Sequence, residues 1–239
     1  MLIDHWPVLG LRLKTPRLEL RLPGDEELAA LVDLAAGGVH AADRMPFLVP
    51  WTDLPPAERA RSVVQHHWQR LGSWSPDDWA LNLAVFADGR VVGLQTVAAR
   101  NFGALRQVGT GSWLGAPHQG RGIGTEMRAA VLHLAFAGLG ADEAVSDAFA
   151  DNAASAAVSC KHGYRPDGVE QVVVRGRRMT SHRFRLTRAD WEACRTTPVT
   201  IDGLAPCLPL FGLPDSQPQA PPSPPQEVRT FRVGSSSTW

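Results

Sequence analysis

The sequence predicts a mixed α/β domain on one largely antiparallel sheet. Three observations carry this. Alternating apolar strands recur through the first 186 residues, and two pairs of them are joined by Asp88-Gly89 and Arg175-Gly176. Such dipeptides suit the left-handed positions of a tight hairpin turn and so pair neighbouring strands antiparallel. Between the hairpins runs "WLGAPHQGRGIGTEM", Trp113 to Met127, an apolar strand end that passes through a glycine-rich loop into a helical pattern.

Each element has a local reason. "RLELRL" (Arg17–Leu22) alternates as a strand. "PGDEELAALVDLAA" opens a helix with acids in its first turn and Leu28, Leu31 and Leu34 inward. "MPFLVPWTD" (Met45–Asp53) is an apolar loop broken by two prolines, and residues 56–71 read as a second helix. "WALNLAVFADGRVVGLQTVAA" is the clearest hairpin. "VGTGSWLG" is a short strand whose glycines suggest a bulge. A helix follows over 123–138, with Ile123, Met127, Val131 and Leu134 at helical spacing. "EAVSDAF" reads as a strand, "NAASAAVSCKHG" as a short helix closed by Gly163, and "VEQVVVRGRRMTSHRFRL" as the second hairpin. A last helix spans about Thr187 to Cys194. Residues 1–10 read as an N-terminal arm. From 198 onward prolines crowd in, and 198–239 is expected to be a disordered tail that buries little.

The 239 residues hold 24 Lys+Arg and 24 Asp+Glu, so no net charge draws the chain to nucleic acid or an anionic membrane, and neither is an expected partner. Cys160, Cys194 and Cys207 show neither CxxC nor zinc spacing; a reduced, cytoplasmic setting and no metal are expected. "MLIDHWPVLG" does not read as a signal peptide, and the most apolar run, Ala129 to Ala141, is too short to span a bilayer.

Glycine at a helix entrance costs backbone entropy, so Gly120, Gly122 and Gly124 call for a reason. A helix N-terminus offers unpaired amides and the positive end of the dipole, and glycines let a phosphate approach them. No Lys-Ser/Thr follows the glycines, as a P-loop requires. Counting from Gly120 the sixth residue is Thr125, which fails G-x-G-x-x-G. The pattern present is Q-x-x-G-x-G: Gln119, Gly122, Gly124.

At these residues the chain resembles the GNAT acyltransferases. "DNAASAAVSCKHGY" resembles that superfamily's second block through Asn152, Ser155, Gly163 and Tyr164, and "LKTPRLELR" (Leu13–Arg21) resembles the opening of its ribosomal-protein N-acetyltransferase branch. The resemblance covers about residues 11–195 and implies, for a domain over 11–197, a GNAT fold: a twisted sheet flanked by helices, with splayed fourth and fifth strands. It implies N-acyl transfer from acetyl-CoA to a primary amine by direct attack. The run "GSWLGAPHQGRGIGTEMRAAVLHLAFAGLGA" also resembles an actinobacterial subgroup in which succinyl-CoA is the donor, which stands as the alternative. A binding module that keeps the acyl-CoA cradle without catalysis is a second alternative, and a homodimer is allowed for.

By the same resemblance, pyrophosphate would lie on the amides of Gly120, Arg121, Gly122, Gly124 and Thr125, and Gln119 and Ile123 of the same loop would also bind the cofactor. Pantetheine would contact Trp113, Leu114 and Asn152, and Met45, Phe47 and Trp51 would line the acceptor site. Many members use a tyrosine as general acid, where this chain has Ser159. In the ribosomal-protein branch the serine of the second block is implicated, and Ser155 matches it; capping the helix is its competing role. No carboxylate stands in "QVGTGSW", where several members carry a base. Asp147, Asp151 and His118 are nearby in sequence, and none is singled out. His66 and His67 point about 100° apart on a helix and make a poor metal grip. "RGRR" (Arg175–Arg178) falls at a turn and reads as solvated.

Overall fold

The computed structural model describes residues 1–215. "PQAPPSPPQ" and "GSSSTW" lie outside the described residues. Helices are α1 (Leu2–His5), α2 (Asp25–Ala36), α3 (Pro56–Gly72), α4 (Phe102–Leu105), α5 (Ile123–His133), α6 (Ala153–Lys161) and α7 (Arg188–Cys194). Strands are β1 (Arg12–Lys14), β2 (Leu18–Arg21), β3 (Asp78–Ala87), β4 (Arg90–Arg100), β5 (Gln107–Leu114), β6 (Glu143–Phe149), β7 (Arg165–Val174), β8 (Arg177–Thr187) and β9 (Thr200–Asp202). They form one sheet in the order β7-β8-β6-β5-β4-β3-β2-β1-β9.

Every pairing is antiparallel except β5 with β6. That parallel ladder has three rungs, Gln107↔Glu143 to Gly109↔Val145. Beyond it both strands continue, β5 held by β4 and β6 by β8, so the sheet opens into a V. The two hairpins turn where the sequence predicts, with Asp88-Gly89 at φ +48° and +73° and Arg175-Gly176 at +52° and +69°.

Side-chain alternation assigns the two faces. Ser146 of β6 accepts from Arg128 of α5, and Leu114 of β5 points toward Gly124 of α5. On the other face Trp113 packs on Trp51, just ahead of α3, with ring centroids 5.8 Å apart. Phe149 clusters there with Met45 and Val174. Between sheet and α5 lies the main core, with Leu20, Leu81, Leu83, Val97, Val108, Val131, Leu134 and Leu186.

Four expectations are corrected. The tail does not begin at 198: β9 pairs with β1 (Leu13↔Ile201), and a 3-10 helix over Ala205–Phe211 buries Cys207 and Phe211. Phe211 meets Trp79 edge-on at 4.8 Å, and Trp74 Nε1 donates to the Leu210 carbonyl (2.8 Å). The apolar residues of "VTIDGLAPCLPLF" recur around its prolines and supply this burial. Residues 1–10 are not a free arm: Val8 is buried and Trp6 packs edge-on against Trp74. The glycines of β5 make no bulge; register shifts instead in the β3–β4 hairpin at Val85/Phe86. The helix from 123 changes at Leu134 into a π turn ending at Gly138, where Leu204 and Ile201 press so close that a Cβ would meet Leu204 Cδ2 at 2.8 Å.

Candidate active site

The mouth of the V and the N-terminus of α5 lie side by side because β5 runs directly into the glycine loop. Gly120 and Gly122 take φ +72° and +79°, which other residues adopt only at a cost. A Cβ at Gly120 would meet nothing within 4 Å, so the space above the loop is open. No backbone or side-chain acceptor meets the amides of Gly120, Arg121 and Gly122 among the described residues. Those of Ile123, Gly124 and Thr125 lie in the first turn of α5, where a helix has no acceptor of its own. The result is a row of unpaired donors at the positive end of a helix, fit for a polyanion.

Gln119 does not add its side chain to that row. Its Nε2 donates inward to the carbonyls of Val39 (2.6 Å) and Leu114 (2.9 Å), tying the loop to β5 and to the chain after α2. Leu114 therefore has its carbonyl engaged. A second brace was not read from the sequence. Glu126 of α5, almost buried, accepts from the Thr15 hydroxyl (2.6 Å), the Arg17 amide (3.0 Å) and Arg17 Nε (2.6 Å). Arg17 Nη1 also donates to the Arg121 carbonyl inside the loop (3.2 Å). Burial alone would raise the Glu126 carboxyl, but the bonds from Thr15 and Arg17 hold it below the usual range. A lone acid on a helix of otherwise apolar periodicity was the available signal.

After β6, Asn152 caps α6 by accepting the Ser155 amide at Oδ1 (3.1 Å). Asn152, not Ser155, thus supplies the side-chain cap. Ser155 is half-buried, and its hydroxyl makes no hydrogen bond within the described residues. Ser159 is wholly buried, with an unpartnered Oγ. At the vertex, Thr110 Oγ1 lies 3.4 Å from the Val145 carbonyl and 3.4 Å from the Tyr164 hydroxyl. Burial raises the Tyr164 phenol. Arg128, 3% exposed, donates to Ser146 Oγ at 3.1 Å and forms no ion pair with a described carboxylate; its Nε has no partner. His162 donates Nε2–H to the Thr125 carbonyl (2.9 Å); burial pushes its pKa down to about 4 and leaves the ring neutral.

On the other face, Met45, Phe47, Trp51 and Trp113 come together. Phe47 and Trp51 centroids are 5.2 Å apart, and Phe47 packs with Met45 beside Phe149 and Met179. The Arg175 guanidinium grips the Asp53 carboxylate (Nε to Oδ2, 2.7 Å), so the β7–β8 turn reaches across to the α2–α3 loop. "RGRR" is therefore in part an internal tie. His66 and His67 sit on α3, away from the V, His67 buried and His66 exposed. Among the described residues no cluster of three metal-ligating side chains occurs, and no helix is long and apolar enough to cross a membrane.

Solved structures repeat this fold at low identity. A GCN5-related N-acetyltransferase from Brucella melitensis matches with TM-score 0.62 and 21% identity, over 77% of this chain and 81% of that one. The Mycobacterium smegmatis RimJ in complex with a CoA disulfide matches with TM-score 0.58 and 17% identity, over 79% and 96%. RimL, a ribosomal L7/L12 alpha-N-protein acetyltransferase in complex with coenzyme A, matches with TM-score 0.59 and 19% identity, over 72% and 95%. The model of the acetyltransferase (GNAT) domain matches residues 17–165, which hold the glycine loop, the V and the Asn152 block. The chain belongs to the GNAT acetyltransferase family, the acyl-CoA-dependent N-acyltransferases.

Proposed function

We propose that the enzyme transfers an acetyl group from acetyl-CoA to a primary amine, on a protein N-terminus, a lysine or a small molecule, by direct attack. The observation that carries this is the conjunction of an unpaired amide row at α5 with a sheet opened at Gly109/Val145. The first suits a pyrophosphate and the second an extended pantetheine arm lying as an extra strand between β5 and β6. In this reading Gly120, Arg121, Gly122, Ile123, Gly124 and Thr125 hold the pyrophosphate, with Gln119 bracing the loop. Trp113, Leu114 and Asn152 border pantetheine, and the free Ser155 hydroxyl gives the departing thiolate its proton. Met45, Phe47 and Trp51 form the apolar wall for the acceptor.

Transfer begins once the amine is neutral. Its lone pair attacks the thioester carbonyl, the oxyanion collapses, the C–S bond breaks, and the thiol leaves. Placement of both reactants is the largest contribution such a site offers. The test is thiol release from acetyl-CoA and from succinyl-CoA, each against three amines: a short unblocked peptide, an N-blocked lysine peptide and spermidine. Acetyl-CoA turnover with at least one amine is expected. Turnover with succinyl-CoA alone would reassign the donor, and tight CoA binding without turnover would favour a binding module.

A further inference from the structure

We propose that Asp147 of β6 is the general base that takes the proton from the acceptor ammonium. This assignment rests on the N-acyltransfer reading above and adds to it the group that makes the amine nucleophilic.

Strand alternation settles where Asp147 lies. Ser146 bonds to Arg128 of α5, and Ala144 and Ala148 are buried on that same face. Asp147 therefore shares the opposite face with Phe149, which packs on Met45. This is the face where Trp113 meets Trp51. The β5–β6 ladder ends at Val145, so Asp147 stands two residues into the V, where β6 has no partner on its β5 side. Across the V, β5 presents Gly109 and Gly111 on that face before Trp113. A Cβ at Gly111 would meet nothing within 4 Å. A carboxylate thus borders open space, with glycines opposite it on β5 and Trp113 further along that strand.

The carboxylate is also uncommitted. Asp147 has no hydrogen bond or ion pair among the described residues, unlike Glu126, Glu143, Asp167 and Asp190. Its cross-strand neighbour Arg183 sends Nη2 to the Asp167 carbonyl (3.0 Å). The charged groups on this face beside Asp147 include Arg183 and Arg185 from β8, Glu143 from β6 and Glu170 from β7, whose partner Ser181 is also the partner of Phe149; Arg185 is itself bound to Glu143 and Asp167. β5 contributes none. The Asp147 side chain is exposed at the open edge of β6; the desolvation it does meet beside its neighbours, together with Glu170, raises its carboxyl above the ordinary aspartate value, against the opposing pull of Arg183. A base is more effective as its pKa approaches working pH.

The protons balance. The Asp147 carboxylate accepts one proton from R–NH3⁺, leaving R–NH2 and a neutral carboxyl. The amine forms the C–N bond as the C–S bond breaks, and its second proton goes to the thiolate, with Ser155 as the relay. Asp147 then returns its proton to solvent, for a net release of one proton per turnover.

The test compares wild type with Asp147→Asn and Asp147→Glu across pH, using the amine the wild type accepts best. Asp147→Asn is expected to lower kcat by about 10²-fold or more, with CoA affinity by calorimetry and melting temperature unchanged. Its residual rate should keep rising with pH as free amine accumulates, while wild type levels off. Asp147→Glu should restore part of the rate. An Asp147→Asn rate within about threefold of wild type, with the same pH profile, overturns the assignment and leaves N-acyltransfer intact. A wild type that turns over no amine overturns both.

Discussion

Gly122 is the residue at which loop, helix and cofactor approach meet. It caps α5 at φ +79°, and a Cβ there would come 3.4 Å from Arg17 Nη2, which braces the loop. Gly122→Val should weaken CoA binding at least about tenfold, or 1.4 kcal/mol. Gly124 is a useful contrast. Its φ is helical, and a Cβ would make ordinary contact with Leu114 and Val158 at 3.8 and 3.9 Å. Gly124→Ala should therefore leave the melting temperature equal or higher, since alanine is the better helix former by about 1 kcal/mol. Any loss of CoA affinity in that variant reports ligand approach and not folding, and calorimetry beside a thermal melt separates the two. Ser155 permits a sharper reading now that Asn152 holds the helix cap. Ser155→Ala should leave melting nearly unchanged and lower kcat by about 10²-fold, with CoA affinity retained. A kcat within about threefold would remove Ser155 as the proton donor.

At the scale of elements, the C-terminal segment behaves as part of the domain. β9 extends the sheet at β1, Lys14 pairs with Asp202 at 3.0 Å, and Phe211 completes an aromatic cluster with Trp74 and Trp79. Removing a buried phenylalanine side chain typically costs about 3–5 kcal/mol. A chain ending at Thr197 should therefore melt well below wild type, whereas one ending at Asp215 keeps every described contact and should melt with it. Equal melting of both would show that β9 and the following 3-10 helix contribute nothing. Phe211→Ala tests the same cluster without shortening the chain.

For the whole molecule, charge and burial give stability a definite pH dependence. His162 has a folded pKa of about 4, below its usual 6.5, because burial disfavours the imidazolium. Between those values the unfolded chain binds the extra proton, so stability is fully present above about pH 6.5 and is lost as pH falls toward 4. The loss amounts to on the order of 3 kcal/mol. Glu27, Glu126, Glu143 and Asp190 also have lowered pKa values from their arginine, hydroxyl and amide partners, so their stabilisation drains away at still lower pH. Urea midpoints from pH 8 to 2 should fall in two stages. His66, His67 and His133 are lowered by burial too and add to the upper stage; His162→Gln should reduce that stage, and an unchanged upper stage would reject His162 as a source of it.

The sequence by itself determined the elements and the cradle. Local rules sufficed for the two hairpins, for β6 at Glu143–Phe149, and for a glycine entrance to α5, because each depends on neighbours a few residues away. The residues of the Q-x-x-G-x-G loop and the Asn152 cap were legible for the same reason. The order β7-β8-β6-β5-β4, the three-rung ladder that opens the V, and the burial of 200–211 against the first strands depend on partners distant in sequence. So do the braces Thr15 and Arg17 on Glu126, more than a hundred residues away along the chain, and the turn of Gln119 inward. Asp147 shows the division most clearly. Period-two alternation said that it and Ser146 point opposite ways, but only packing decides which face has α5 and which is open to an acceptor. A strand pattern is symmetric about its sheet, and tertiary structure is what breaks that symmetry.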